Sequence, residues 1–247
     1  MDHIYTDTFF DYIDAESCRS AEIVLSKSMG WLAPKSVLDV GCGRGAWLRH
    51  WRQQGVPELH GVDGDFVDRA ALHFPPENFH PHDLSAPFAL GREFDLVQSL
   101  EVAEHLPPAA AEGFVQSLTA HSQHVLFSAA VPGQGGEHHV NERPQAYWRD
   151  LFARHGYKGF DCIRPHVKGE REVRPWYRYN TLLFVHQDQV ASLPPEIAAT
   201  EVTATGPVAF PAPLSWRLRL LLVRLLPLGA VTGLAKLNAR LKVARKG

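Results

Sequence analysis

Apolar positions change their period along this chain, and the changes mark out its elements. Phe9, Tyr12 and Ile13, then Ile23, Val24 and Leu25, recur at roughly helical spacing before Pro34 stops the pattern. Residues 1–33 therefore read as a helical lead-in. From residue 36 onward short apolar runs alternate with segments of helical period. The runs predict strands near 36–40, 58–62, 77–81, 94–99 and 123–130, with helices near 45–54, 65–72 and 109–120. Pro107-Pro108 suits the start of the last of these, with Glu112 in its first turn. Such alternation implies an α/β fold: a doubly wound, mostly parallel sheet with helices on both faces and ligands at the carboxyl ends of the strands. A helix over 145–155 follows. Tyr157–Arg164 and Tyr179–His186 then read as two more strands, parted by the charged segment Lys168–Arg174 and no crossover helix. This predicts an antiparallel hairpin at the edge of a seven-stranded, Rossmann-like sheet, with the core ending near 186. Residues 187–213 are rich in Pro, Ala and Thr and read as a linker.

The segment that joins the first strand to the first helix of the sheet carries the clearest chemistry. Val37, Leu38 and Val40 run into Gly41, Gly43 and Gly45, and a helical pattern resumes through Trp47, Leu48 and Trp51. A Gly-rich turn from strand to helix lets a ligand approach the backbone, and the amides that open the helix favour an anionic group. Asp63 closes the next strand about 20 residues on, where a carboxylate can accept hydrogen bonds from ribose hydroxyls. Together they point to a nucleoside-containing cofactor, although Gly41-x-Gly43-x-x-Ala46 also fits a dinucleotide fingerprint.

Leu38-Asp-Val-Gly-Cys-Gly-Arg-Gly45 resembles the first motif of class I S-adenosylmethionine-dependent methyltransferases. Asp83-Leu84 after the third strand, and Phe94-Asp-Leu-Val-Gln-Ser-Leu-Glu-Val-Ala-Glu-His-Leu106 at the fourth, are similar to later motifs of the small-molecule branch, which includes quinone O-methyltransferases. The resemblance covers about residues 20–186 and implies a methyltransferase domain over 34–186. It places Asp39 near the methionine moiety, Gly41, Cys42, Gly43 and Gly45 along the cofactor, Asp63 and Gly64 at the ribose, Asp83 and Leu84 at the adenine, and Ser99 and Glu101 at the end of the fourth strand. Lead-ins of this kind fold over the cofactor in the family, which makes Tyr12 and Ser20 candidates for capping contacts.

Methyl transfer needs an aligned nucleophile and, for a hydroxyl, a proton acceptor. Two His-bearing stretches fall at the expected mouth: Glu101-Val-Ala-Glu-His105, and His138-His139 after the loop Pro132-Gly-Gln-Gly-Gly136. Glu101, Glu104 and His105 match the spacing of a divalent metal site (Mg²⁺, Mn²⁺ or Zn²⁺) in some quinone O-methyltransferases, with His139 or His138 as a further candidate ligand. Equally, His105, His139 or His138 could act as a general base, or Glu104-His105 could open a helix structurally. A looser likeness of His139-Val-Asn-x-x-Pro-x-x-Tyr-Trp148 and Trp176-Tyr-Arg-x-Asn180 to methyltransferases of surface-glycan and natural-product pathways suggests a sugar, glycoconjugate or natural product as acceptor.

Composition narrows the remaining choices. The formal charge of −2 over 247 residues argues against nucleic acid as partner, and 45% hydrophobic with 21% charged residues is globular. Cys18, Cys42 and Cys162 are too few and too scattered for a disulfide framework or zinc site, and Met1-Asp-His-Ile-Tyr lacks a signal pattern, so a cytoplasmic enzyme is expected. The character changes at 214–247, where eight Lys or Arg and no acid surround a Leu-rich stretch broken by Pro227 and Gly229. Two short basic amphipathic helices are expected there, serving either as a docked or dimerising face or as a peripheral membrane contact. The other functional classes compatible with the motifs are a nicotinamide-dependent oxidoreductase and a non-catalytic nucleotide-binding module tethered by this tail.

Overall fold

The computed structural model describes residues 7–227 and 229–233, with residues 7–13 and Ala15 as backbone only. Its centre is a seven-stranded sheet in the order β3-β2-β1-β4-β5-β7-β6. The strands are β1 (Ser36–Val40), β2 (Glu58–Asp63), β3 (Phe79–Pro81), β4 (Leu96–Leu100), β5 (His124–Ser128), β6 (Tyr157–Phe160) and β7 (Leu182–His186). The first five pair in parallel, and β7 runs antiparallel between β5 and β6. β1 and β4 are buried at every residue, as expected for strands covered on both faces.

Helices cover each face. On one side α1 (Asp7–Ser28), α2 (Ala46–Gln53), α5 (Arg164–Val167) and α6 (Pro175–Asn180) pack Val24, Leu25, Trp47, Trp51, Val167 and Tyr177 onto the sheet. On the other, α3 (Ala111–Thr119) and α4 (Gln145–Arg154) bring Phe114, Leu118, Trp148 and Phe152 against Leu38, Val97 and Phe127. The direction of winding reverses between β1 and β4. The crevice at their carboxyl ends is where an open α/β sheet binds ligands.

Two expectations need correction. The helix over 65–72 is only a 3-10 turn, Arg69–Ala71, capped by Asp68 Oδ1 accepting from Ala70 N at 2.9 Å. Phe74 then has to reach Gly45, and Pro75-Pro76 follow, so no length remains for a helix. The antiparallel edge pair is present as β6 and β7, but the strands are shorter than expected and their connection is not free of helix: Pro165 and Pro175 each occupy a first helical turn, of α5 and α6. Tyr179 is thus helical, and β7 begins only at Leu182.

Beyond β7 the Pro-rich stretch runs along the edge of the sheet. It contains the helical turn α7 (Pro195–Ala198), buries Leu193 and Ile197, and forms a bridge from Glu201 to Phe160. It leads into α8 (Leu214–Arg224), which stops before Pro227; a helical turn resumes over 229–233. The tail beyond 233 lies outside the described residues. Among those described, no helix is long and apolar enough to cross a membrane.

Candidate active site

The Gly-rich turn is built by its neighbours. Gly45 caps α2 at φ +86°, and a Cβ there would meet Phe74 Cδ1 at 2.6 Å, so neither conformation nor space admits a side chain. Gly43, at φ +50°, faces open space: a Cβ would meet nothing within 4 Å. That opening is where a ligand can lie against the backbone. A Cβ on Gly41 would press on Val102, so the turn rests directly on the residue that follows Glu101. The side chain of buried Cys42 donates to Gly43 O at 3.4 Å, and burial pushes its thiol pKa up.

Asp63, expected at a ribose, is bonded to the turn itself. Its Oδ2 accepts from Gly43 N and its Oδ1 from Gly64 N, both at 2.7 Å, so the carboxylate ties the end of β2 to the middle of the turn. Burial raises its pKa despite these two amides. Asp39 lies one strand away, in register with Gly61 on one side and Gln98 on the other. Its carboxyl is pushed up to about 7 by burial, opposed by a hydrogen bond with Gln98 and reinforced by the charge of Asp63. Gln98 is itself fixed by Trp51 Nε1, which donates to its Oε1 at 2.9 Å.

Other candidates stand differently. Asp83 is exposed in the turn after β3, where Ser85 N and Oγ both donate to its Oδ1, and these bonds lower its pKa. Leu84 beside it is buried. Ser99 is fully buried in β4, with no hydrogen-bond partner for its hydroxyl. Ser20 is turned into a clamp: its Oγ donates to Glu16 O at 2.8 Å and accepts from Arg174 N at 3.2 Å, away from the Gly-rich turn. Tyr12 is on α1, but its side chain lies outside the described residues. α1 is nonetheless held over this half of the molecule, through Asp14 with His73 at 2.6 Å and Ser17 with Tyr177 at 3.3 Å.

The second half of the site follows β4 and β5. Glu101 leaves β4 at φ +60°, a conformation that non-glycine residues rarely hold. Its Oε2 accepts from Gln134 Nε2 at 2.6 Å and its Oε1 from Asn180 Nδ2 at 3.2 Å, while Asn180 also donates to Gln134 Oε1 at 2.8 Å. Burial raises its pKa against these bonds. Glu104 is buried in the 3-10 turn Ala103–His105, and burial first, then the charge of Glu101, push its carboxyl well above the usual range. Its Oε2 has no hydrogen-bond partner.

His139 comes down onto this turn. Val140 N and Asn141 N both donate to Glu104 O, at 2.9 and 3.0 Å, and pin the loop in place. The His105 and His139 rings meet edge-on with centroids 4.9 Å apart. Desolvation, and then the neighbouring imidazoles of His139 and His138, bias His105 toward its neutral form although the residue is exposed at its outer edge. Glu142 holds His139 Nδ1 at 2.9 Å and accepts from Gly133 N and Gly135 N, each at 2.7 Å. Burial alone would raise the Glu142 carboxyl; His139 and the two amides outweigh it and hold it low.

Ligand atoms of Glu104, His105 and His139 lie within 4.8 Å of one another. Glu101, expected with them, is not in this group; its two oxygens accept from Gln134 and Asn180. His138 sits at φ +56° with its side chain exposed. Gln134, Asn180 and Glu142 are the residues that sequence reasoning missed. Only Glu142 left a local trace, three residues beyond His139.

Residues 31–161 match the family model described as a methyltransferase domain. The ubiquinone biosynthesis O-methyltransferase of Acinetobacter baumannii (strain AYE) is 32% identical over 139 residues, 52% of this chain and 52% of that protein. The chain thus spans about half the length of the curated relatives it matches. Among solved structures, the sugar N-methyltransferase of a Streptoalloteichus species superposes with a TM-score of 0.53 at 18% identity, covering 75% of this chain and 97% of that one. The magnesium protoporphyrin IX methyltransferase of Synechocystis, solved with bound S-adenosylmethionine, gives 0.50 at 18% identity over 74% of this chain and 86% of that one. At such identity the two structures speak for the fold.

Proposed function

Because the chain belongs to the methyltransferase-domain family, we propose that it moves the methyl group of S-adenosylmethionine to a hydroxyl of a small molecule, such as a sugar, glycoconjugate or natural product. The observation that carries this reading is the meeting of Glu104, His105 and His139 on the turn that supports the Gly-rich loop. S-adenosylmethionine supplies a methyl carbon already activated by its sulfonium. The protein has then to hold the acceptor oxygen in line with it and take its proton. His105, kept neutral, and His139, fixed by Glu142, are the bases within reach. None of the three relatives is an oxidoreductase, and Asp39, Asp83-Leu84 and the Glu-His turn argue against a nicotinamide site.

A buried carboxyl oxygen without a partner, facing two imidazoles, also suits a divalent cation. Glu104, His105 and His139 would hold it, and it would lower the pKa of a bound hydroxyl. Gln134 and Asn180 keep Glu101 outside that ligand set and in support of the turn.

Calorimetry with S-adenosylhomocysteine, NAD and NADP tests the first step, and binding of a nicotinamide cofactor alone would overturn it. Assay of labelled methyl transfer to phenols and sugars, after EDTA and with Mg²⁺, Mn²⁺ or Zn²⁺ restored, tests the second. Activity indifferent to chelation leaves His105 or His139 acting as base without metal.

A further inference from the structure

A cavity of about 410 Å³ lies on the far side of His139, between the loop after β5 and the C-terminal tail. His139 and Glu142 form one polar end, Val140, Val223, Leu226 and Val231 its apolar walls, and Arg224 lines it from the tail side. Its size is that of a small-molecule site, apolar with few polar groups. The tail is seated there by specific bonds: Arg219 donates to Gln134 O at 2.9 Å and Arg224 Nε to Pro132 O at 2.8 Å. The glycines of the loop leave room for it. A Cβ on Gly133 would meet Arg224 Cγ at 2.7 Å, and one on Gly135 would meet Val231 and Val223 at 2.8 and 3.2 Å. Gln134, whose carbonyl receives Arg219, is also the residue whose side chain holds Glu101.

We infer that this cavity is the acceptor site, that Val223, Arg224, Leu226 and Val231 of the tail form one wall of it, and that the acceptor is an amphiphile with a hydroxyl-bearing head at His139 and an apolar portion along Val223, Leu226 and Val231. The inference rests on the methyltransferase reading and adds the substrate's shape to it. Arg224, the charged side chain on the tail side, donates its Nε–H to Pro132 O, so a wholly polar acceptor would leave Val223, Leu226 and Val231 unused. The tail contributes no carboxylate to that wall.

Methyl gallate and octyl gallate share a head with vicinal hydroxyls and differ in chain length. Each is titrated into the full chain saturated with S-adenosylhomocysteine, once free in solution below the micelle-forming concentration and once in phosphatidylcholine vesicles. Octyl gallate should bind at least about tenfold more tightly in both arms, since two buried methylenes already give that factor. Val223→Asp and Leu226→Asp should each erase the difference. Leu218→Asp, on the exposed outer side of the same helix, should leave it intact. Equal or absent binding of the two gallates overturns the inference, as does a preference that survives both cavity variants, is lost in Leu218→Asp, or occurs only in vesicles. If S-adenosylhomocysteine itself fails to bind, the methyltransferase reading falls; where it binds and the chain-length preference is missing, only the cavity assignment falls.

Discussion

The turn after β1 and the turn after β4 face each other across the same crevice, yet they are held by different means. The first is held by backbone: the Gly43 and Gly64 amides grip one carboxylate, Asp63, and the glycines are fixed by Phe74 and Val102 pressing on them. The second is held by side chains from distant parts of the chain. Glu101 depends on Gln134 and Asn180, 33 and 79 residues away, and His139 depends on Glu142. A backbone cradle tolerates change in everything except its glycines and one acid, which suits a cofactor common to many enzymes. A side-chain network can be rewired at each member, which suits an acceptor that differs from one enzyme to the next.

Replacing Asp39 gives the largest expected effect, and it acts on the first region alone. Its carboxyl is raised from 3.8 to about 7 in the folded protein, so the fold binds its proton more tightly than the unfolded chain does. Stability from this group is therefore present below about pH 4 and is lost as pH rises toward 7. Asp39→Asn should remove that loss and stabilise the unliganded protein at pH 8 by up to about 4 kcal/mol, at the rate of roughly 1.4 kcal/mol per pK unit. Denaturant melts at pH 4 and pH 8 check it: the variant should gain at pH 8 and not at pH 4.

Next in size is His139→Ala, which strikes the second region. Loss of a positioned proton acceptor lowers rates by about 10²–10⁴, so a fall in kcat of about a hundredfold is expected, with S-adenosylhomocysteine affinity unchanged. If His105 is the base instead, His139→Ala costs much less and His105→Ala takes the large effect. In that case activity should fall with pH only below the ordinary His range, because desolvation favours the neutral form of His105. A kcat profile of the wild type against pH reads this directly.

Asp63→Ala returns to the cradle. It removes two hydrogen bonds to a charged group, each worth about 1.5–3 kcal/mol, so cofactor affinity should fall at least about tenfold. Asp63→Asn, which can still accept, should recover part of it. A variant that binds S-adenosylhomocysteine as tightly as wild type would show that the cradle holds its shape without the carboxylate.

The contrast between the regions also explains what could be read from the sequence. β1, the glycines and Asp63 lie within 30 residues and follow local rules: an apolar run, a turn without side chains, an acid at the end of the next strand. The alternation of elements gives the parallel sheet with helices on both faces, though not the order of its strands. The 65–72 helix failed because Asp68 offers a tight cap and Pro75 follows, so tertiary contact of Phe74 with Gly45 overrode the apolar period. The network around Glu101 could not be read, since neither Gln134 in a loop nor Asn180 at a helix end has a local pattern that names its partner. His138 and His139 are adjacent in sequence; the loop, with His138 at φ +56° and His139 held by Glu142, turns the second ring inward.

The smallest effect concerns the clamp over the cradle. Arg19 on α1 reaches Glu172 at 2.9 Å, but both side chains are largely exposed, at 45% and 63%. Exposed pairs contribute about 0–1 kcal/mol because water screens the charges and both side chains lose freedom in pairing. Arg19 also keeps Glu22 as a partner at 2.7 Å when Glu172 is removed. Glu172→Ala should therefore leave the denaturant midpoint nearly unchanged, and less changed still at 1 M salt, where the Debye length is about 3 Å. Cofactor affinity should stay within about twofold, since Asp14–His73 and Ser17–Tyr177 still hold α1 in place. A tenfold loss of S-adenosylhomocysteine binding, relieved by no change of salt, would mean that the clamp and not the cradle sets how firmly the cofactor is kept.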